Sequence, residues 1–134
     1  MSITLDHTIV RARDRRRSAR FLAELLGLDV GADAGPLVPV QLNPGLALEF
    51  DDRHEFAAAH YAFRVDSHTF ERALGWLAAS NVPFGSGPEH GWDRRAARSD
   101  STQTVYVRDP DGHSYELIAP NAALDEHASA HFKT

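Results

Sequence analysis

The 134-residue sequence predicts an α+β fold: one domain built from two paired βαβββ modules, roughly residues 1–53 and 54–120, with a C-terminal tail at 121–134. Three observations carry this. Period-two and period-3.6 apolar patterns alternate in the order strand, helix, strands, and that order occurs twice. No linker-like stretch separates the repeats. Each helical segment has one apolar stripe, enough to cover one face of a sheet and leave the other face free to join a shared concave surface.

The elements follow in order. In "ITLDHTIVRA" Ile3, Leu5, His7 and Ile9 alternate with Thr4, Asp6, Thr8 and Val10, as in a strand. Asp14 is the expected N-cap of the helix "RRRSARFLAELLGL", whose stripe is Phe21, Leu22, Leu25 and Leu26 and which Gly27 can end. A short strand is expected at Leu37 to Leu42, then the turn "NPG" and the strand "LALEFDD". The second module opens with the strand "AHYAFRV", and Ser67 is the expected N-cap of "HTFERALGWLAAS". "NVPFGSGPEHGWDRRAARSD" reads as a loop holding one short strand, followed by the strand "TQTVYVR", the turn "DPDG" and the strand "HSYELIA". "NAALDEHASAHFKT" is expected as a short helix or a frayed end.

Composition excludes several classes. Length fits one domain, and 43% hydrophobic with 25% charged residues fits a soluble globular protein. No apolar run approaches the roughly 20 residues that cross a bilayer, and the N-terminal residues lack a signal-peptide pattern. With no cysteine, disulfides and thiolate ligands are excluded, and a cytoplasmic location is expected. A net charge of −5 argues against nucleic acid. The basic clusters "RARDRRR" and "WDRRAAR" have no interleaved aromatics and read as solvated faces.

The faces of the strands direct the functional reading. Tyr61, Phe63 and Val65 suit the helix side of their strand, which leaves His60, Ala62 and Arg64 on the other. Leu46, Leu48 and Phe50 leave Ala47 and Glu49 opposite; Tyr115 and Leu117 leave Glu116 opposite. Each module therefore has one His on its opening strand and one Glu on its closing strand: His7 with Glu49, His60 with Glu116. A lone glutamate on a strand reads as a solvent-facing edge, and a lone histidine as a surface residue. Their matched placement argues otherwise. Carboxylates sharing a partly buried site repel one another, and a divalent cation removes that cost while using both imidazoles. Nitrogen and oxygen ligands suit Fe(II), Mn(II), Ni(II), Zn(II) or Co(II), and two His with one carboxylate is the set associated with non-haem Fe(II) oxygenases. His7, His60, Glu116 and Glu49 are the candidate ligands. Glu49 is either a fourth ligand or a carboxylate that orients one. His54, His68, His90 and His113 lie in turns or at a helix start and are expected in solvent. His127 and His131 lack the glutamate of a zinc-protease motif and are expected as tail residues.

At "LDHTIV", "LALEF", "HYAFRV" and "VYVRDPDGHSYELI" the sequence resembles the vicinal oxygen chelate superfamily, which includes glyoxalase I, extradiol dioxygenases, fosfomycin-resistance thiol transferases and bleomycin-binding proteins. The matching pieces lie between residues 3 and 120 and most resemble the small dioxygenase-like branch, which includes an iron-dependent ring-opening enzyme of aromatic polyketide biosynthesis. The resemblance implies paired βαβββ modules forming a half-open barrel around a metal, held by His7, His60 and Glu116. Glu49 falls where glyoxalase I has its fourth ligand. It also implies a homodimer, because sites in this family often form between chains, with His7 and Glu49 from one and His60 and Glu116 from the other. The sequence departs from the family in places. It is about half the length of two-domain extradiol dioxygenases, whose further catalytic His has no counterpart here. The loop from Gly85 to Ser101 does not reproduce a fosfomycin-type potassium loop. Bleomycin-binding relatives lack the ligands this sequence keeps.

The expected activity is an Fe(II) dioxygenase-like reaction on an aromatic or quinone-like small molecule. Three ligands including one carboxylate leave the metal a net positive charge, which favours a catecholate-like anion. Glu49 as a fourth ligand would cancel it and suit glyoxalase-type lyase or isomerase chemistry, with Ni, Zn, Mn or Co as alternatives to iron. Glu49 could instead act as a base. Tyr106, Arg64 and Trp92 are candidate substrate contacts. The remaining alternative is a binding protein that sequesters a drug without turnover.

Overall fold

In the computed structural model the structure describes residues 2–121. The helix or frayed end expected at the C-terminus, with His127 and His131, lies outside the described residues. The chain divides into two compact units, one up to Ala58 and one from Ala59.

The first unit contains β1 (His7–Arg11), α1 (Arg15–Leu26), β2 (Val38–Asn43) and β3 (Leu46–Asp51). Its three-stranded sheet has the order β1-β3-β2, with β1 parallel and β2 antiparallel to β3. A parallel pair needs a crossover, and α1 provides it. Asp14 caps α1, its carboxylate accepting from the Arg16 and Arg17 amides, and Gly27 ends it at φ 73°. α1 packs on β2 and β3, and Val10, Leu22, Leu25, Val38, Val40, Leu48 and Phe50 form a buried core. Each such side chain stabilises the unit by about 1.5–3 kcal/mol. Phe21 of the expected stripe is only half-buried.

β1 is shorter than expected. Ile3 and Leu5 are 89% and 62% exposed and lie outside the ladder. A strand needs a partner, and β3 begins only at Leu46; the bond from the Ala47 amide to the Asp6 carbonyl (3.0 Å) is where pairing runs out. The short strand expected at Leu37 to Leu42 is β2, one residue further along. The expected third strand after α1 is reduced to an isolated bridge, Val30 to Val40. β3 ends at Asp51, buried and held by Arg11 (2.8 Å) and by two bonds from the Arg53 side chain (2.9 and 3.0 Å) and one from its amide (3.1 Å). Hydrogen bonding from Arg53, and beyond it the charge of Arg11, keep this carboxylate well below the usual range.

The second unit contains β4 (His60–Arg64), α2 (Ser67–Ala78), β5 (Phe84–Gly85), a single 3-10 turn at Pro88–His90, β6 (Ala97–Arg98), β7 (Thr102–Arg108) and β8 (Ser114–Pro120). The order is β4-β8-β7-β5, with β6 also on β7. β4 and β8 are parallel, as β1 and β3 are. Phe70, Ala73 and Leu77 of α2 are buried, as are Val105, Val107, Tyr115 and Leu117 of the sheet. Asp66, not Ser67, caps α2: its carboxylate accepts from the Thr69 amide at 2.7 Å. Carboxylate and hydroxyl caps are nearly equivalent, so sequence alone did not separate adjacent candidates. The loop expected to hold one short strand holds two, β5 and β6, each paired with β7. The "DPDG" turn is closed by the Asp109 carboxylate, which accepts from the amides of Asp111 (2.9 Å) and His113 (2.8 Å). The paired α+β plan is therefore present, with a leaner first unit and an elaborated second one.

Two outcomes follow for stability. Gly27→Ala places a Cβ on a left-handed residue and should lower the unfolding free energy in urea by about 1 kcal/mol. Asp51 is more acidic folded than unfolded, so its contribution is present above the unfolded pKa and lost as pH falls through the folded value. Asp51→Asn should therefore show a smaller drop in melting temperature on acidification below about pH 4 than the parent.

Candidate functional site

Parallel pairing sets the same diagonal in both units. His7 lies two residues before Ile9, the register partner of Glu49; His60 lies two residues before Ala62, the register partner of Glu116. Because side chains alternate across a strand, each His and its Glu share the face turned away from the helix. His7 Nε2 lies 3.9 Å from Glu49 Oε1, and His60 Nε2 lies 3.0 Å from Glu116 Oε1. Exposure is matched as well: 53% and 18% for the first His and Glu, 50% and 17% for the second. Glu116 is therefore not on an edge, since β8 runs between β4 and β7.

The other imidazole nitrogen is also engaged in each pair. His7 Nδ1 meets Asp6 Oδ2 at 2.8 Å, and His60 Nδ1 meets Ser114 Oγ at 3.2 Å. Such partners orient each ring so that Nε2 faces the glutamate, and His60 Nε2 is hydrogen-bonded to Glu116 Oε1. Asp6 hydrogen bonding, then the charge of Glu49, raise the pKa of His7. These donor sets fit a divalent cation. A metal bonded to both atoms at roughly 2.1 Å holds nitrogen and oxygen about 3.0–3.4 Å apart, which the second pair matches and the first approaches. Among the described residues no three His, Asp or Glu side chains gather around one point; each unit supplies a pair.

Tyr106 joins the second pair. It faces Glu116 across the β7–β8 ladder, and its ring stacks on His60 with centroids 6.3 Å apart. Burial, then the charge of Glu116, raise the pKa of its hydroxyl, which stays a proton donor at neutral pH. Beside it lies a cleft of about 270 Å³ lined by Gly87, Pro88, Gly91, Trp92, Tyr106 and Ser114. Trp92 is 44% exposed. Arg64 is exposed on β4 opposite Ile118, does not line this cleft, and has no ion pair with a described residue.

One expectation is corrected. His113 was expected in solvent but is only 1% exposed. Its Nδ1 accepts from the Ala59 amide at 2.9 Å, and its ring meets Tyr61 edge-on at 6.0 Å. It sits after the turn but under the start of β4, where Ala59 also accepts from the Ser114 amide (3.0 Å). Histidine after a Gly turn reads as exposed from sequence because its acceptor function is used by an amide 54 residues away. His54, His68 and His90 are exposed as expected. Asp6 and Ser114 were not anticipated as imidazole partners, although Asp6 adjoins His7 and Ser114 shares the face of Glu116.

Residues 4–117 match the profile of the Glyoxalase/Bleomycin resistance protein/Dioxygenase superfamily. Among solved structures, the oxidase ChaP-H2 is 35% identical, with a TM-score of 0.80 over 89% of this chain and 94% of its own. The oxidase ChaP-H1 is 36% identical, with a TM-score of 0.79 over 88% and 96%. A lactoylglutathione lyase from Agrobacterium tumefaciens, 20% identical with a TM-score of 0.65 over 89% and 94%, shares the fold. No protein of curated function matches the chain.

The His113 contact generates a prediction. His113→Phe keeps the ring but leaves the Ala59 amide without its acceptor, and should cost about 1–3 kcal/mol in urea unfolding.

Proposed function

The chain belongs to the Glyoxalase/Bleomycin resistance protein/Dioxygenase superfamily, and from that premise we propose that it is an Fe(II)-dependent oxygenase acting on an aromatic or quinone-like small molecule with two adjacent oxygens. The observation that carries the reading is the repeated pair: in both units an imidazole Nε2 faces a glutamate at the same diagonal, with Nδ1 tied elsewhere. Identity of 35–36% to two oxidases, over most of each chain, supports the reaction class.

In this proposal His7, His60 and Glu116 hold the cation, which requires a first unit and a second unit to meet, within one chain or across a homodimer. When bound, the cation supplies Lewis-acid polarisation of the two substrate oxygens and redox access to dioxygen. The protein does the rest. Asp6 and Ser114 keep each Nε2 available. The Tyr106 hydroxyl donates a hydrogen bond to a substrate oxygen, and Trp92 covers the ring in the cleft. Desolvation by that ring strengthens the Tyr106 bond where charge develops.

Glu49 supports a second reading. Its carboxylate faces His7 as Glu116 faces His60, so a four-ligand set is available. Such a set neutralises the cation and suits glyoxalase-type isomerisation, with Ni, Zn, Mn or Co in place of iron, and with Glu49 free to leave and move a proton.

Metal analysis of protein purified without oxygen should show bound divalent metal that His7→Ala, His60→Ala and Glu116→Ala lose. Under the oxygenase reading Glu49→Ala keeps it, and the enzyme consumes oxygen with a catechol or hydroquinone. Equal loss with Glu49→Ala, and no oxygen uptake, would favour the isomerase. Metal retained in all four variants would overturn the ligand assignment. Ser114→Ala should weaken metal binding by about tenfold, since it frees the His60 ring.

A further inference from the structure

The cleft has one wall on the sheet, at Tyr106 and Ser114, and the other on the loop that leaves β5. That loop carries two cross-ties at its neck. The Arg94 amide donates to the Phe84 carbonyl at 2.9 Å. The Asp93 carboxylate accepts from the Ser86 amide (2.9 Å), the Ser86 hydroxyl (2.6 Å) and the Arg95 amide (3.2 Å). Between the ties, His90 closes a turn onto Gly87 at 3.0 Å. The returning limb of the loop lies directly against β5: a Cβ on Gly85 would clash with the Gly91 carbonyl. Gly85 is itself the register partner of Tyr106. The two walls are thus one backbone approach apart, and whatever holds Gly91 and Trp92 down sets the width of the cleft.

Arg94 is the residue placed to do this. Its guanidinium spans the carbonyls of Leu77 (3.2 Å), Ala78 (3.5 Å), Ser80 (3.0 Å) and Val82 (3.2 Å). It also lies 4.6 Å above the Phe84 ring. Leu77 and Ala78 close α2, and Ser80 and Val82 follow it; the helix lacks the left-handed glycine that finishes α1 and ends instead at Ala79 in a right-handed conformation. A cation there adds a donor to these carbonyls, of which that of Leu77 also accepts from the Ser80 amide and hydroxyl, and it complements the helix dipole. Arg94 pays for the reach with its backbone: φ is 59°, among the described residues the sole positive value outside glycine. An L residue holds that conformation only where its surroundings over-determine it. Arg95, the next residue, is exposed, and its side chain makes no hydrogen bond or ion pair with a described residue.

We propose that Arg94 is a positioning residue for ligand selection: by tying the Gly91–Trp92 segment to the end of α2, it fixes the outer wall of the cleft and determines which ring systems the cleft accepts. The cation at the helix end thereby acts on substrate it does not touch. This rests on the reading of the cleft as the seat of the substrate's ring, and it is independent of the metal.

The test compares calorimetric affinities for a two-ring and a one-ring probe, 2-naphthol and phenol, without metal. A preorganised apolar wall should favour 2-naphthol by about tenfold or more. Arg94→Ala should reduce that preference to within about twofold, and so should Gly85→Ala, which forces the wall outward from the opposite side. Arg94→Gly suits the backbone conformation and gives the same loss should Arg94→Ala not fold. Arg95→Ala, which removes the same charge, should change nothing. In a Trp76→Phe background the emission of Trp92 should shift to the red in the Arg94 variants. An unchanged preference in folded Arg94 variants would overturn the proposal, as would a parent protein with no preference. Metal titration of the same proteins reads the oxygenase proposal separately: Arg94 variants should bind metal like the parent.

Discussion

Parallel pairing between the first and last strand of each unit is the constraint from which the rest follows. Two adjacent parallel strands cannot be joined by a hairpin, so a helix must cross between them, and it buries one face of the sheet as it does so. The opposite face is left with the side chains the core cannot use. In both units those include one imidazole and one carboxylate, separated by a two-residue diagonal across the parallel ladder. Register, not loop conformation, brings Nε2 and the carboxylate oxygen together, and a slip of one residue would turn them to the helix side.

The two units use this shared plan unequally. The first is a bare βαββ sheet, its third strand reduced to a bridge, and its buried carboxylate, Asp51, is held by Arg11 and Arg53. That cluster occupies a buried end of β3 and is fully hydrogen-bonded, which is the condition for a buried carboxylate to be tolerated. The second unit adds β5, β6 and the loop carrying Trp92, and a cleft lies next to its His–Glu pair. In the proposed reaction both units contribute ligands, while the selection of substrate belongs to the second.

Support for the pairs differs in kind. His7 is steadied by a charged neighbour in sequence, Asp6, and His60 by a neutral hydroxyl on the adjacent strand, Ser114. The register explains why: His7 faces Ala47, which has no polar atom to offer, and His60 faces Ser114. A carboxylate partner raises the basicity of an imidazole, and in the proposed site His7 would be the ligand supported in that way. Family membership fixes the fold and leaves the reaction open; in the proposal Glu49 is the residue on which the two readings differ.

The α+β class, the order of elements, the cap at Asp14, the left-handed Gly27 and the face on which each His and Glu lies were all legible in the sequence, because each is set by local periodicity or by the backbone preference of one residue. The length of β1, the reduction of the third strand, the choice of Asp66 over Ser67 and the burial of His113 were not, because each depends on a partner far along the chain. The same division holds at the site. Residue type and alternation determined that His7, Glu49, His60 and Glu116 share a kind of face; the parallel register decided the distances within each pair. Arg94 shows the limit most plainly: in sequence it is one arginine in a basic loop, and only tertiary structure brings it to the carbonyls at and after the end of α2, since a donor so far along the chain reaches them only through the fold.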